Sequence, residues 1–239
     1  SVTAQLKTSR HSDTPQIDTP HSRRRVSLAD YEFADLIDQQ DKVRLLIDPT
    51  SSYAQAAAMA MGRAMDDVII AAATGTAYTG ETGATSESVQ TAIAASVGTG
   101  TGLNLLKLTT AKRLLDDADV DPSIPRHIIV GPEQLQNLLA VEQVTSSDYN
   151  TVKALVQGEI DSYLGFKFTV SNRLAKSGND RTCIVYAEDG ITLGIGKDIS
   201  ARIDERADKS YATQVYYCQS IGATRMESAK VVPITCTEA

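Results

Sequence analysis

No stretch of the 239-residue chain approaches the roughly 20 consecutive apolar residues of a bilayer-spanning helix, so no spanning helix is expected. Cysteine is scarce. Cys183, Cys218 and Cys236 are odd in number and none forms a C-x-x-C pair, which removes the usual zinc and redox frameworks and fits reduced cysteines in a reducing compartment. Histidine is equally scarce, with three residues few for acid–base or metal work. His11 and His21 fall in a polar arm, and His127 borders an apolar run. No N-x-[ST] acceptor is present, and Ser1–Pro20 lacks the apolar region of a signal peptide. Basic charge is also lacking. The net charge of −7 and the pI near 5.0 argue against a dedicated nucleic-acid binder, which needs a strong positive field.

What remains is a globular balance, with 42% hydrophobic and 22% charged residues. Folding at this length buries roughly 70% of the unfolded surface, enough for a core without staples. One or two domains are expected, and no internal repeat is visible. The chain begins at Ser1, and its first segment reads like the middle of something. The expectation is that residues precede it, whether cleaved or simply unseen.

Residues 1–22 read as an exposed arm, because Pro15 and Pro20 block ladder bonding. Arg23, Arg24 and Arg25 lead into an alternating stretch around Tyr31 and Phe33 that reads as a strand. The clearest helix runs from Pro49 to Thr74, with Asp48 suited to the cap and Gly75 to the stop. It is rich in alanine and methionine, with few polar positions, so most of its circumference should be covered. Turns are expected from Thr74 to Gly102, a helix from Thr109 to Asp117 and a buried strand at Ile128–Val130. Further helices are expected at Pro132–Ala140 and Tyr149–Gly158. Strands follow at 166–170, 182–187, 191–195, 200–206, 213–221 and 224–235. The class is α+β, with helices early and strands late.

Catalytic motifs are missing. Gly98-Thr99-Gly100-Thr101-Gly102 has Leu103 where a dinucleotide fingerprint needs glycine, and it reads as a flexible loop. Gly194-Ile195-Gly196-Lys197 lacks the spacer of a phosphate loop. Asp117, Asp119 and Asp121 have calcium-loop spacing, but Pro122 and Ile128 stand where glycine and glutamate belong, leaving an acidic turn. No catalytic, cofactor-binding or metal residues are therefore assigned. Asp66 and Asp67 point about 100° apart on a helix, a poor catalytic pair and a better pair of ion-pair acceptors, with an arginine of another subunit as the expected partner. Arg23–Arg25 could touch nucleic acid, but an acidic chain favours carboxylates on a neighbour.

Three segments carry a resemblance. They are Asp13-Thr14-Pro15 through Thr19-Pro20-His21-Ser22-Arg23-Arg24-Arg25-Val26 to Asp35–Asp38, then Asp48-Pro49-Thr50-Ser51-Ser52-Tyr53 to Gly62–Ala72, and Ser147-Asp148-Tyr149 through Gly158 to Phe168. In this order they resemble the major capsid proteins of tailed bacteriophages. The resemblance implies the Hong Kong 97-type fold: an E-loop at residues 1–36, a peripheral domain at 37–122 with a spine helix at 49–74, an axial domain at 123–199, and peripheral-domain strands at 200–239. An N-terminal arm would precede Ser1. It further implies no enzyme activity and no cofactor. The expected function is self-assembly, through pentamers and hexamers, into an icosahedral head shell around double-stranded DNA, with the protein in the virion and assembly in the host cytoplasm. Portal, scaffolding and decoration proteins are the further partners implied, with non-specific DNA at the inner face and no membrane. Arg23, Arg24, Arg25, Asp66 and Asp67 are the expected intersubunit residues. An encapsulin-like compartment or gene-transfer particle is the alternative, and a small-molecule α+β enzyme is a third reading.

Overall fold

The computed structural model describes residues 4, 6–7, 9–10, 14, 16, 21–38, 40, 50–98, 100–140 and 162–238. The cap expected at Asp48 and the helix expected at Tyr149–Gly158 lie outside these residues.

Strand β1 (Arg24–Arg25) leads to β2 (Ala29–Ile37), and helix α1 (Thr50–Thr74) follows. Strands β3 (Ala77–Thr79) and β4 (Thr85–Glu87) form a hairpin where turns alone were expected. Helix α2 (Leu105–Asp117), β5 (Arg126–Val130) and α3 (Pro132–Leu139) come next. The rest are β6 (Ser162–Tyr163), β7 (Phe166–Val170), β8 (Lys176–Ser177), β9 (Asp180–Ala187), β10 (Ile191–Arg206), β11 (Ala212–Arg225) and β12 (Val231–Thr237).

Three sheets result. The smallest runs β1-β3-β4 and the second β10-β11-β2; the third runs β12-β9-β5-β7-β6, with β8 on β9. In the third sheet β5 and β7 are parallel, which requires a crossover, and α3 lies within it. The main core fills the space around this sheet and α2, with Leu108, Leu115, Ile128, Leu138, Phe166, Ile184 and Ile234 fully enclosed.

Helix α1 packs against both the β10-β11-β2 sheet and the main core. Ala57 and Met61 are buried in its first half, and the Met61 carbonyl accepts from Gln219 Nε2 of β11 at 3.1 Å. Ile70 and Ala73 at its far end join the main core. In β2 burial alternates, with Tyr31, Phe33, Asp35 and Ile37 turned inward. The strand pairs with β11 from Ala29↔Ile221 to Ile37↔Thr213, so this part of the expected 1–36 loop shares a sheet with the body. The closing strands also divide. β10 and β11 stay beside β2, whereas β12 pairs with β9 in the sheet of β5 and β7, so residues 200–239 do not form one group.

Other differences have local causes. Helix α2 starts four residues before Thr109 because Asn104 caps it, its Oδ1 accepting from Lys107 N–H at 2.9 Å. β10 is one strand rather than two, because β-bulges absorb the irregular step around Lys197. A short turn at Ser228–Lys230 separates β11 from β12. The glycine-rich loop is pinned. Buried Lys107 donates from Nζ to the carbonyls of Thr101 at 2.9 Å, Gly102 at 2.7 Å and Thr235 at 3.2 Å. Thr237 N–H closes on Thr101 O at 3.0 Å.

Candidate assembly surfaces

The three consecutive arginines have different surroundings. Arg24 Nε donates to the Met226 carbonyl at 2.6 Å, and its NH2 lies 3.1 Å from Glu87 Oε2. Glu87 in turn accepts from the Ser228 hydroxyl at 2.6 Å. Ser228 and Arg24 hold its carboxyl below the usual range. Arg24 thus ties the root of the N-terminal segment to β4 and to the turn after β11. Arg25 lies over the Tyr78 ring at 4.8 Å, a cation–π contact. Its stem fills the space beside Gly83, where a Cβ would meet Arg25 Cδ at 2.9 Å in a backbone held at φ 65°. Arg23 is exposed.

The two aspartates of α1 also separate. Asp67 accepts both Nε and NH2 of Arg173, in the loop between β7 and β8 of its own chain. The bidentate pair lowers the Asp67 carboxyl and raises Arg173. Asp66 is exposed beside it. Sequence reasoning missed Arg173, which no spacing rule links to α1.

The acidic turn is used locally. Asp117 is the last residue of α2, Asp119 sits at φ 54°, and Asp121 accepts Ser123 N–H at 2.8 Å. A cleft of about 600 Å³ opens beside it, lined by Asp116, Asp119, Asp121 and Arg126 among others. Arg126 donates to Asp116 at 2.7 Å and to the Val120 carbonyl at 3.2 Å. His127 lies within β5 and stacks on Tyr186, ring centroids 5.4 Å apart.

Exposed apolar side chains are scattered over the described residues, and two surfaces carry more than one of them. One is the first half of α1, where Tyr53 and Met59 stand out, Met59 54% exposed. Ala56, Gly62, Arg63 and Asp66 are exposed there too, leaving open a circumference that the sequence expected to be covered. The other is β10, an edge strand of 16 residues with Ile195 53%, Ile199 39% and Ile203 50% exposed. Edges of this length and character are templates for a partner. The nearby Arg206–Asp208 pair is bidentate, and it brings the Asp208 carboxyl down to about 2. This is an arrangement for adhesion, with broad apolar strips flanked by charge.

Comparison with known proteins agrees. The family model described as phage capsid protein matches residues 1–238. No curated protein matches the chain by sequence. Among solved structures, one from Mycobacterium phage Che8 is similar with a TM-score of 0.66 at 18% identity, over 86% of this chain and 70% of that one. The capsid of cyanophage P-SCSP1u is similar with a TM-score of 0.67 at 14% identity, over 98% and 81% of the two chains. The head structure of Helicobacter pylori bacteriophage KHP40 gives 0.65 at 9% identity, over 90% and 76%.

Proposed function

The chain belongs to the phage capsid protein family, and from that premise we infer how copies of it build a shell. It is a structural protein of the virion capsid, with the Hong Kong 97-type fold. Its function is that of the major capsid protein of a tailed phage, self-assembling into the icosahedral head shell around double-stranded DNA. In our reading the copies associate as pentamers and hexamers. Residues 1–36 act as the E-loop, α1 as the spine of a peripheral domain, and residues 123–199 as the axial domain, to which β12 adds a strand. The acidic chain grips its own copies and meets DNA only weakly at the inner face, without base recognition. Portal, scaffolding and decoration proteins complete the particle, and the subunit itself performs no catalysis.

The observation that carries the reading is the exposed first half of α1 together with the exposed edge of β10. Tyr53 and Met59 on the helix and Ile195, Ile199 and Ile203 on the strand are apolar side chains left to water in the single chain, and multivalent closure covers both surfaces at once. Sedimentation and negative-stain imaging of the full chain test it. Shells, or pentamers and hexamers, are expected; a stable, strictly monomeric chain overturns it.

A further inference from the structure

Cys218 is central in β11, on the face of the three-stranded sheet turned away from α1. Gln219 beside it points the other way, toward Met61. Three side chains converge on this thiol face. Ser200, directly opposite on β10, brings Oγ to 3.0 Å from Cys218 Sγ, and Lys197 brings Nζ to 3.0 Å. Tyr216, two residues along, donates its hydroxyl to Glu32 Oε1 at 2.9 Å.

The backbone is built to put Lys197 there. In the register of Ile191↔Arg225 to Ile195↔Ile221, residue 197 would stand opposite Gln219 and share its face toward α1. A bulge between Ile195 and Lys197 moves it opposite Ser220, onto the face of Cys218. A second bulge between Lys197 and Ser200 then restores the alternation. Two irregularities therefore bracket one lysine and turn its ammonium onto a sulfur.

We propose that Lys197 and Cys218 form an oxidisable pair, which a hydroperoxide converts into a covalent sulfur–nitrogen link between β10 and β11. In the first step the Cys218 thiolate attacks a peroxide oxygen. An S–O bond forms, the O–O bond breaks, and its electron pair leaves with the departing oxygen, which takes a proton and becomes water or an alcohol. Sulfur is oxidised by two electrons and the peroxide is reduced. In the second step the Lys197 ammonium gives one proton to solvent, and the amine lone pair attacks the sulfenic sulfur. The S–N bond forms and the S–O bond breaks; the hydroxyl leaves as water with a second proton from the nitrogen.

Ser200, Lys197 and Tyr216 hold the Cys218 thiol below its ordinary range, which favours the reactive thiolate. Its 8% exposure gives a small oxidant access, whereas Cys183 and Cys236 are fully enclosed, and Cys183 is pushed well up by Cys236 and by burial. The link would staple the sheet where the two bulges interrupt its hydrogen-bond ladder.

The test treats the full chain, as shells or as subunits, with hydrogen peroxide, then unfolds it in urea at neutral pH with a maleimide and maps peptides by mass spectrometry. The expected product joins the Lys197 and Cys218 peptides, is lighter than the unlinked pair by two hydrogens, and is released by dithiothreitol. Native Cys218 is expected to be consumed about tenfold faster than Cys183 or Cys236. Lys197→Arg keeps the cation but has no amine to condense, so a cyclic diketone should trap sulfenic Cys218 in that variant with no link. An unlinked wild type, a link that persists in Lys197→Arg, or a link carrying an added oxygen each overturns the proposal. None of these outcomes depends on whether the chain forms a shell.

Discussion

The guanidinium of Arg225 donates to the Ala73 carbonyl at 3.0 Å, joining β11 to the end of α1 across 152 positions of sequence. It also reaches the carbonyls of Gly75 at 2.8 Å, Glu87 at 2.9 Å and Ala72 at 3.4 Å. The last carbonyls of a helix have no partner within it, and they carry the negative end of its dipole. A fully buried arginine answers both needs. Burial lowers its own pKa from the usual arginine value.

Arg225→Ala should therefore leave several enclosed carbonyls without donors. Loss of about 3 kcal/mol of subunit stability is expected, read from urea unfolding of dissociated subunits. Arg225→Lys should recover only part of it, since one ammonium cannot span four carbonyls. A midpoint unchanged in Arg225→Ala would show that the clamp is idle.

Lys107→Met should keep the packing of α2 but leave the carbonyls of Thr101, Gly102 and Thr235 unmet. A cost of about 2 kcal/mol is expected. Hydrogen exchange at the Thr237 amide, which closes on Thr101, should speed up in step with it. Unchanged protection there would refute the link.

Glu238 sets an acid limit. Lys176 and Arg181 hold its carboxyl at about 2, below the ordinary 4.5. The folded value is the lower one, so this contribution to stability is complete above about pH 4.5 and disappears as pH falls toward 2. In Glu238→Gln the unfolding midpoint should vary less with pH across that window. Parallel pH curves for the two proteins would count against the assignment.

Assembly can be separated from folding. Met59→Glu and Ile203→Glu place charges on exposed strips and should change subunit stability by no more than about 0.5 kcal/mol. Burying either charge against a neighbour is costly, so shell yield by sedimentation should fall at least about tenfold. Arg23→Glu should behave alike, because Arg23 is exposed. Arg24→Ala should instead lower the melting temperature of the subunit, because Arg24 holds Glu87 and Met226 of its own chain. Equal effects of all four on assembly alone would contradict this division.

Much of the architecture was legible in local pattern. Gly75 announced the end of α1, the alternation around Tyr31 and Phe33 announced β2, and Leu135 and Leu138 announced α3. These are short-range signals, set by periodicity and capping. The roles of Arg24 and Asp67 were not legible, because their partners Glu87 and Arg173 are fixed only by the tertiary fold. The bulges beside Lys197 were equally hidden, since Gly196 signals irregularity but not its direction.

Helix α1 is a beam roughly 38 Å long, gripped in its last turn by Arg225 and tied along its length by Gln219 at Met61 and by Arg173 at Asp67, with Tyr53 and Met59 exposed in its first half. A push on Tyr53 or Met59 acts through a long arm and reaches the clamp as torque. Internal pressure borne by many such subunits would then be shared, subunit by subunit, among the guanidinium of Arg225 and the ties at Met61 and Asp67.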